Sequence, residues 1–236
     1  MVKWLEEIEV TAEESNNFYH FNDNRVLPSH VDAEKATEEG WWFKPEYIIN
    51  KLNINGAMAY PWHNEVVVPS TTPVYTLKGY SYAGGGHRVI RVEISLDQGL
   101  SWTLANIVQR EKPRWAADSS NDKAKHWCWC LWELEVETSK LAAAVEICMR
   151  AWDQSQNSMP ERPTWNVMGM LNNPWYRVRV HPGANGTLTF EHPTQAGPDK
   201  TEGWMVKMAA ATPPEQEGEL LWGWGGKGTP AAPPRK

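Results

Sequence analysis

Residue types able to hold metal or move protons are present in this chain, but their spacing does not assemble a reaction centre. The seven histidines, His20, His30, His63, His87, His126, His181 and His192, are scattered, and no two stand at metal-ligand spacing. Cys128-Trp129-Cys130 would put two sulfurs on one face of a strand without supplying a third and fourth ligand, so core packing is predicted. Cys148 is left over, a poor basis for a disulfide framework. Gly84-Gly85-Gly86 could offer backbone amides to a phosphate, but phosphate loops lead into a helix and this run leads toward a strand. A turn is predicted there. Gly225-Gly226-Lys227-Gly228-Thr229 lacks the order of a nucleotide loop. Glu6, Glu7, Glu9, Glu13 and Glu14 read as a solvated face, and no nucleophile elbow occurs. Read from these residues alone, the chain is a binding or structural module.

The elements that would position such groups are mostly strands. Ile90, Val92, Ile94 and Leu96 alternate with Arg91, Glu93 and Ser95, the period of a half-buried strand. Asp97-Gln98-Gly99 then turns the chain into a partner strand at residues 101–104. Further strands are predicted at 2–10, 74–82, 127–136, 145–152 and 175–180, with turns between them. About seven short strands predict an immunoglobulin-like antiparallel β-sandwich. Residues 1–50 read as an irregular arm with a helical turn at 32–36 ended by Gly40, and residues 51–195 as the sandwich. From 196 to 236 Gly and Pro crowd together and a disordered linker is predicted, in which Trp204, Trp222 and Trp224 are out of character.

Composition narrows the class. With 236 residues, 41% of them hydrophobic, the chain can bury a substantial core. A net charge of −6 without a basic stripe argues against nucleic-acid and anionic-membrane surfaces. No apolar run reaches membrane-spanning length, and the first residues lack a signal-peptide core, so a reducing, cytoplasmic setting is expected. Asn185-Gly186-Thr187 is then an idle glycosylation match. Fifteen tryptophans predict large flat apolar contacts, in a core or at an interface.

Several longer strings are more specific: Asn17-Phe18-Tyr19-His20-Phe21, Asp23-Asn24-Arg25-Val26-Leu27-Pro28, Gly40-Trp41-Trp42-Phe43-Lys44-Pro45-Glu46, Trp127-Cys128-Trp129-Cys130 and Trp165-Asn166-Val167-Met168-Gly169-Met170-Leu171-Asn172-Asn173-Pro174-Trp175. Together with their surroundings, from the first residue to about Trp204, they resemble eukaryotic assimilatory nitrate reductase. The resemblance implies a slice through a longer enzyme: residues 1–50 the end of a molybdenum-pterin domain of the sulfite oxidase type, 51–195 an immunoglobulin-like dimerisation domain, and 196–236 the start of a hinge. It implies a homodimer, nitrate as substrate of the whole enzyme, and molybdenum-molybdopterin as a cofactor that this segment meets only in part. Haem and FAD are expected outside this chain, and the choice between NADH and NADPH would be made there too.

By the same resemblance Lys3 is the leading site residue, its ammonium facing the pterin phosphate or an anionic ligand as a point charge. Val2 would contribute a backbone contact, and Met1 would be either a translation start or the internal Met that lies near the nitrate pocket. Arg25 is expected to be a salt-bridged loop residue, and Trp41, Trp42, Trp62 and Trp165 are expected to furnish the dimer contact. The family's hinge serine for 14-3-3 recruitment has no counterpart, since no serine follows Gln195. A sulfite oxidase-type enzyme and a stand-alone, non-catalytic dimerisation module are the competing readings.

Overall fold

A computed structural model describes residues 3–109, 125–195 and 203–211. The chain forms two compact units, one of Met1–Asn50 with Trp165–Met170, the other of Lys51–Thr164 with Leu171–Lys236.

In the first unit, α1 (Phe18–Phe21) begins where the Asn17 side chain accepts from the Tyr19 amide at 2.9 Å. The second helix, α2 (Ala33–Glu38), begins where Asp32 accepts from the Lys35 amide at 2.8 Å. Each cap satisfies an amide that the helix itself cannot. Two 3-10 turns follow at Trp41–Phe43 and Pro45–Tyr47. A small core of Leu27, Val31, Ala36 and Trp42 forms, with Val167 and Met168 packed against it. The strand expected at residues 2–10 does not form over 3–10. Trp4 and Val10 are more than nine-tenths exposed, and among the described residues no strand pairs with this segment to take its backbone hydrogen bonds.

Among the described residues the second unit is a two-layer antiparallel sandwich of ten strands: β1 (Asn55–Tyr60), β2 (Val66–Val67), β3 (Val74–Tyr82), β4 (Val89–Ser95), β5 (Thr103–Leu104), β6 (Asn106–Gln109), β7 (Cys130–Glu137), β8 (Glu146–Asp153), β9 (Tyr176–Pro182) and β10 (Leu188–Glu191). One sheet has the order β1-β3-β7-β6, the other β2-β10-β9-β8-β4-β5. The mainly β, two-sheet expectation holds. Four strands, β1, β2, β6 and β10, exceed it, because each is short or lacks strict alternation. A short helix, α3 (Thr138–Ala143), follows β7 and buries Leu141.

Both sheets face one core in which Leu77, Ile94, Trp132, Ile147, Met149, Val178 and Phe190 are at most 1% exposed. Gly79 on β3 lets the Trp132 ring cross its strand: a Cβ there would stand 2.3 Å from the indole and 2.2 Å from the Ala57 carbonyl oxygen. Cys128 departs from the expected shared face. It is exposed just before β7 begins, whereas Cys130 is buried.

Within the stretch expected to be a disordered linker, α4 (Trp204–Ala211) is a helix. The rest of that stretch, 196–202 and 212–236, with Trp222 and Trp224, lies outside the described residues. Truncating Ile147 to Ala at the centre of the core is expected to cost about 2–5 kcal/mol. Urea unfolding would read this as a lower midpoint with an unchanged slope.

Candidate functional site

Lys3 sits exposed on a turn at the start of the arm, while Met1 and Val2 lie outside the described residues. The glutamates at 6, 7, 9, 13 and 14 are exposed, and Glu14 pairs with His20 at 2.6 Å. Arg25 is not the salt-bridged loop residue expected. It is 1% exposed and donates to the carbonyls of Phe21 (2.7 Å), Lys44 (2.9 Å) and His20 (3.3 Å). A fixed guanidinium fork can satisfy several carbonyls of one folded loop at once, so Arg25 shapes the arm rather than reacting.

Among the described residues, no group of three or more His, Cys, Asp or Glu side chains could hold a metal ion. None of the three cysteines forms a disulfide, and burial, with Glu146 close by, pushes the Cys148 thiol up, keeping it a thiol. Gly84 to Gly86 make a turn between β3 and β4, as expected from the strand that follows.

The richest polar assembly gathers where β10 leads to α4, and sequence reasoning missed it. Trp204 is 2% exposed, donates its indole N–H to the Arg177 carbonyl at 3.0 Å, and lies 4.7 Å from the Arg179 guanidinium. Backbone bonds from Trp204 to the His192 carbonyl and from Met205 to the Pro193 carbonyl, both 3.0 Å, seat the helix start. The signal was Gly203: its φ of 104° is open to glycine, and a Cβ would stand 2.4 Å from the Pro193 oxygen.

Glu191 takes Lys207 of α4 at 2.5 Å and His181 at 2.9 Å. Burial raises its carboxyl pKa, but these two partners outweigh burial and leave it below the usual range. His192 bonds the Pro61 carbonyl at 2.7 Å through Nε2 and the Tyr176 hydroxyl at 2.8 Å through Nδ1. Since a carbonyl only accepts, Nε2 carries the proton, and in the neutral ring that burial favours Nδ1 accepts from the Tyr176 hydroxyl. Burial and nearby His63 lower its pKa, against the Pro61 bond that raises it.

The two sheets present different outer surfaces. On the six-stranded sheet, Arg150 lies 3.9 Å from the Trp102 ring, Arg91 lies 4.1 Å from Trp152, and Glu93 ties Arg150 at 2.7 Å. On the four-stranded sheet Tyr80 meets Trp129 at 4.9 Å, and Trp127, Trp129 and Leu131 are 65%, 59% and 40% exposed. Beside them opens a cleft of about 270 Å³ lined by Ala57, Tyr80, Tyr82, Trp175, Tyr176 and Trp204. Of the tryptophans expected at an interface, Trp42 is instead 9% exposed in the first unit's core, and Trp41 stacks with Lys44. No helix among the described residues is long and apolar enough to cross a membrane.

A family model described as "Mo-co oxidoreductase dimerisation domain" matches residues 46–183, more than half of the chain. The chain is 53% identical over 215 residues to "Nitrate reductase [NADH]" of Lotus japonicus, covering 88% of this chain and 23% of that protein. It is 52% identical over 210 residues to "Nitrate reductase [NADH]" of Volvox carteri, covering 86% and 24%. It is 52% identical over 215 residues to "Nitrate reductase [NADH] 2" of Arabidopsis thaliana, covering 88% and 22%. The chain thus spans about a quarter of the length of the curated relatives it matches.

His192 generates a pH prediction. Its pKa is lower folded than unfolded, so the unfolded chain binds more protons as pH falls. The contribution is complete above the unfolded value of about 6.5 and is lost as pH falls through the folded value. Urea unfolding at pH 7.5 and pH 5.5 should show the wild type losing more stability than His192→Gln, which removes the titrating ring.

Proposed function

This chain belongs to the Mo-co oxidoreductase dimerisation domain family, and on that premise we propose that it is the pairing segment of a nitrate reductase. In this reading residues 51–195 hold two copies together, 1–50 close one side of a molybdenum-pterin domain, and 196–236 begin a hinge toward haem and FAD domains outside this chain. The observation that carries it is the family match over residues 46–183. Alignments of 210 residues and more to enzymes named for nitrate and NADH favour nitrate over sulfite and NADH as donor. The setting is cytoplasmic, and 14-3-3 recruitment forms no part of the reading.

Toward a molybdenum-pterin group the described residues offer the ammonium of Lys3 on an exposed turn, with Met1 and Val2 beside it in sequence. All three cysteines belong to the other unit. One cation does not enclose such a group, so no step of oxygen-atom transfer is assigned to this chain. The part proposed for Lys3 is to supply positive charge to an anionic pterin phosphate or nitrate.

Two measurements test the reading. Light scattering at micromolar concentration should report twice the 26.9 kDa chain mass, and a monomer at all concentrations would refute pairing. In a full-length enzyme carrying this segment, Lys3→Met removes a charge-assisted bond worth about 1.5–3 kcal/mol. Nitrate kcat/KM or molybdenum retention should fall by about 10-fold to 150-fold. Haem and flavin reduction should be unchanged. Unaltered molybdenum content with unaltered nitrate kinetics would leave Lys3 without a role at the site.

A further inference from the structure

We propose that the turn at Gly84 to Gly86, with Lys51, His87 and Lys125, binds a phosphate dianion, either free or as the phosphoryl group of a small molecule. The proposal depends neither on pairing nor on the nitrate reading, and all its residues lie in the second unit. Each glycine is demanded for its own reason. A Cβ on Gly84 would stand 1.9 Å from the Leu52 carbonyl oxygen, so the turn lies directly on the backbone there. Gly85 and Gly86 have φ of 66° and 74°, and the His87 amide closes the turn on the Gly84 carbonyl at 3.1 Å.

Turn geometry accounts for the glycines but not for the groups gathered on them. The point that a Cβ on Gly85 would occupy is 2.9 Å from Lys51 Cδ, 3.5 Å from Lys51 Cε and 3.6 Å from His87 Nε2. Lys125 lays its stem over Gly86, 2.6 Å from the corresponding point there, and its ammonium reaches the Gly85 carbonyl at 3.3 Å. The neighbouring His126 amide bonds the Gly86 carbonyl at 2.9 Å, which holds Lys125 against the turn. His87 is held from behind. Its Nδ1 faces Asp153 at 3.5 Å and Ser155 at 3.4 Å, leaving Nε2 toward Gly85. Asp153 is 2% exposed and is fixed in turn by the amides of Ser155 (2.8 Å) and Asn157 (3.1 Å).

Positive charge stands unneutralised at this turn. Elsewhere in the unit Arg150, Arg177, Lys140 and Lys207 each meet a carboxylate. Among the described residues neither Lys51 nor Lys125 does, and the Gly85 amide has no acceptor. Two ammonium groups, an amide N–H and a ring nitrogen at one place match an anion with two charges and several acceptor oxygens. A phosphoryl group, with a charge of about −1.5 to −2 near neutral pH, is such an anion. Nitrate, with a single charge, answers only one ammonium. In a phosphate loop the positive end comes from the helix that follows the glycines. Here β4 follows, and the two lysines supply it as point charges.

The concave sites of the sandwich suit an anion less well. In the aromatic cleft of about 270 Å³ the one lining cation, Arg177, is tied to Glu146. In the cleft near Ile94 and Leu134, Lys140 pairs with Glu137, and Glu135 beside them repels an anion.

The test is NMR of the full ¹⁵N-labelled chain, titrated with inorganic phosphate to about 20 mM at constant ionic strength near neutral pH. The Gly85 and Gly86 amide signals should shift and saturate with a Kd of about 1 mM. Lys51→Met/Lys125→Met keeps the apolar stems over the turn and removes both charges. Since one exposed charge contact is worth up to about 5-fold, the pair should weaken binding about 10-fold. Lys51→Arg/Lys125→Arg should restore it, and Lys140→Met, on a lysine far along the chain that already has its carboxylate, should leave it unchanged. Thermal unfolding confirms that each variant folds. Phenyl phosphate separates the two sources: tighter binding than inorganic phosphate assigns the site to a phosphoryl group on an organic molecule, and equal or weaker binding assigns it to free phosphate. Three results would overturn the proposal: no saturation in the wild type by about 20 mM phosphate, saturation unaltered in the methionine pair, or the same saturable shifts with sodium nitrate at equal ionic strength.

Discussion

The burial of apolar side chains between two sheets is the constraint from which the rest of this structure follows. Trp132 reaches from β7 into that space at 1% exposure, and the absence of a side chain at Gly79 gives its ring room. Burying an indole of about 150–250 Å² is worth roughly 4–6 kcal/mol. That is a large share of the marginal stability of a domain. Because strand side chains alternate, committing Leu77, Ile94, Ile147 and Val178 inward fixes which neighbours must point outward. Register therefore places Tyr80, Leu131, Arg150 and Trp152 on outer faces once the core is set.

The two outer faces meet water differently. On the six-stranded sheet, guanidinium groups lie on indoles and Glu93 neutralises part of the charge, while α4 covers the surface near Arg179 through Trp204. Lys207 and Glu191 tie the helix down, and the neutral His192 ring links the β10 exit to Pro61 and Tyr176. The four-stranded sheet has no such helix among the described residues. It keeps tryptophans in water, which is costly for a lone monomer and useful for a module that pairs.

Legibility in the sequence followed physical distinctness. Strict alternation over long stretches made β3, β4, β7, β8 and β9 readable, and Asp97-Gln98-Gly99 marked the first hairpin. Strand β2 has two residues and β6 and β10 four each, and β1 contains Gly56 beside small side chains, so no period could show. The arm misled because Trp4, Leu5, Ile8 and Val10 resemble a strand face, yet pairing depends on a neighbour that sequence pattern does not supply. Trp204 stood in a Gly- and Pro-rich stretch whose composition implied a linker, whereas its burial is set by Arg177 and Arg179 of the interior strand β9. The family strings carried more than local chemistry could: Arg25 looked like a salt-bridged loop residue, and only the fold shows it holding three carbonyls.

If residues 51–195 hold two copies together, folding and association are one linked equilibrium, and ligand-like mass action must appear in stability. The most direct measurement is the thermal unfolding midpoint of the intact chain across a hundredfold range of protein concentration, near neutral pH. The account predicts a midpoint that rises steadily with concentration, because association stabilises only the folded sandwich. A midpoint that does not move over that range would contradict it.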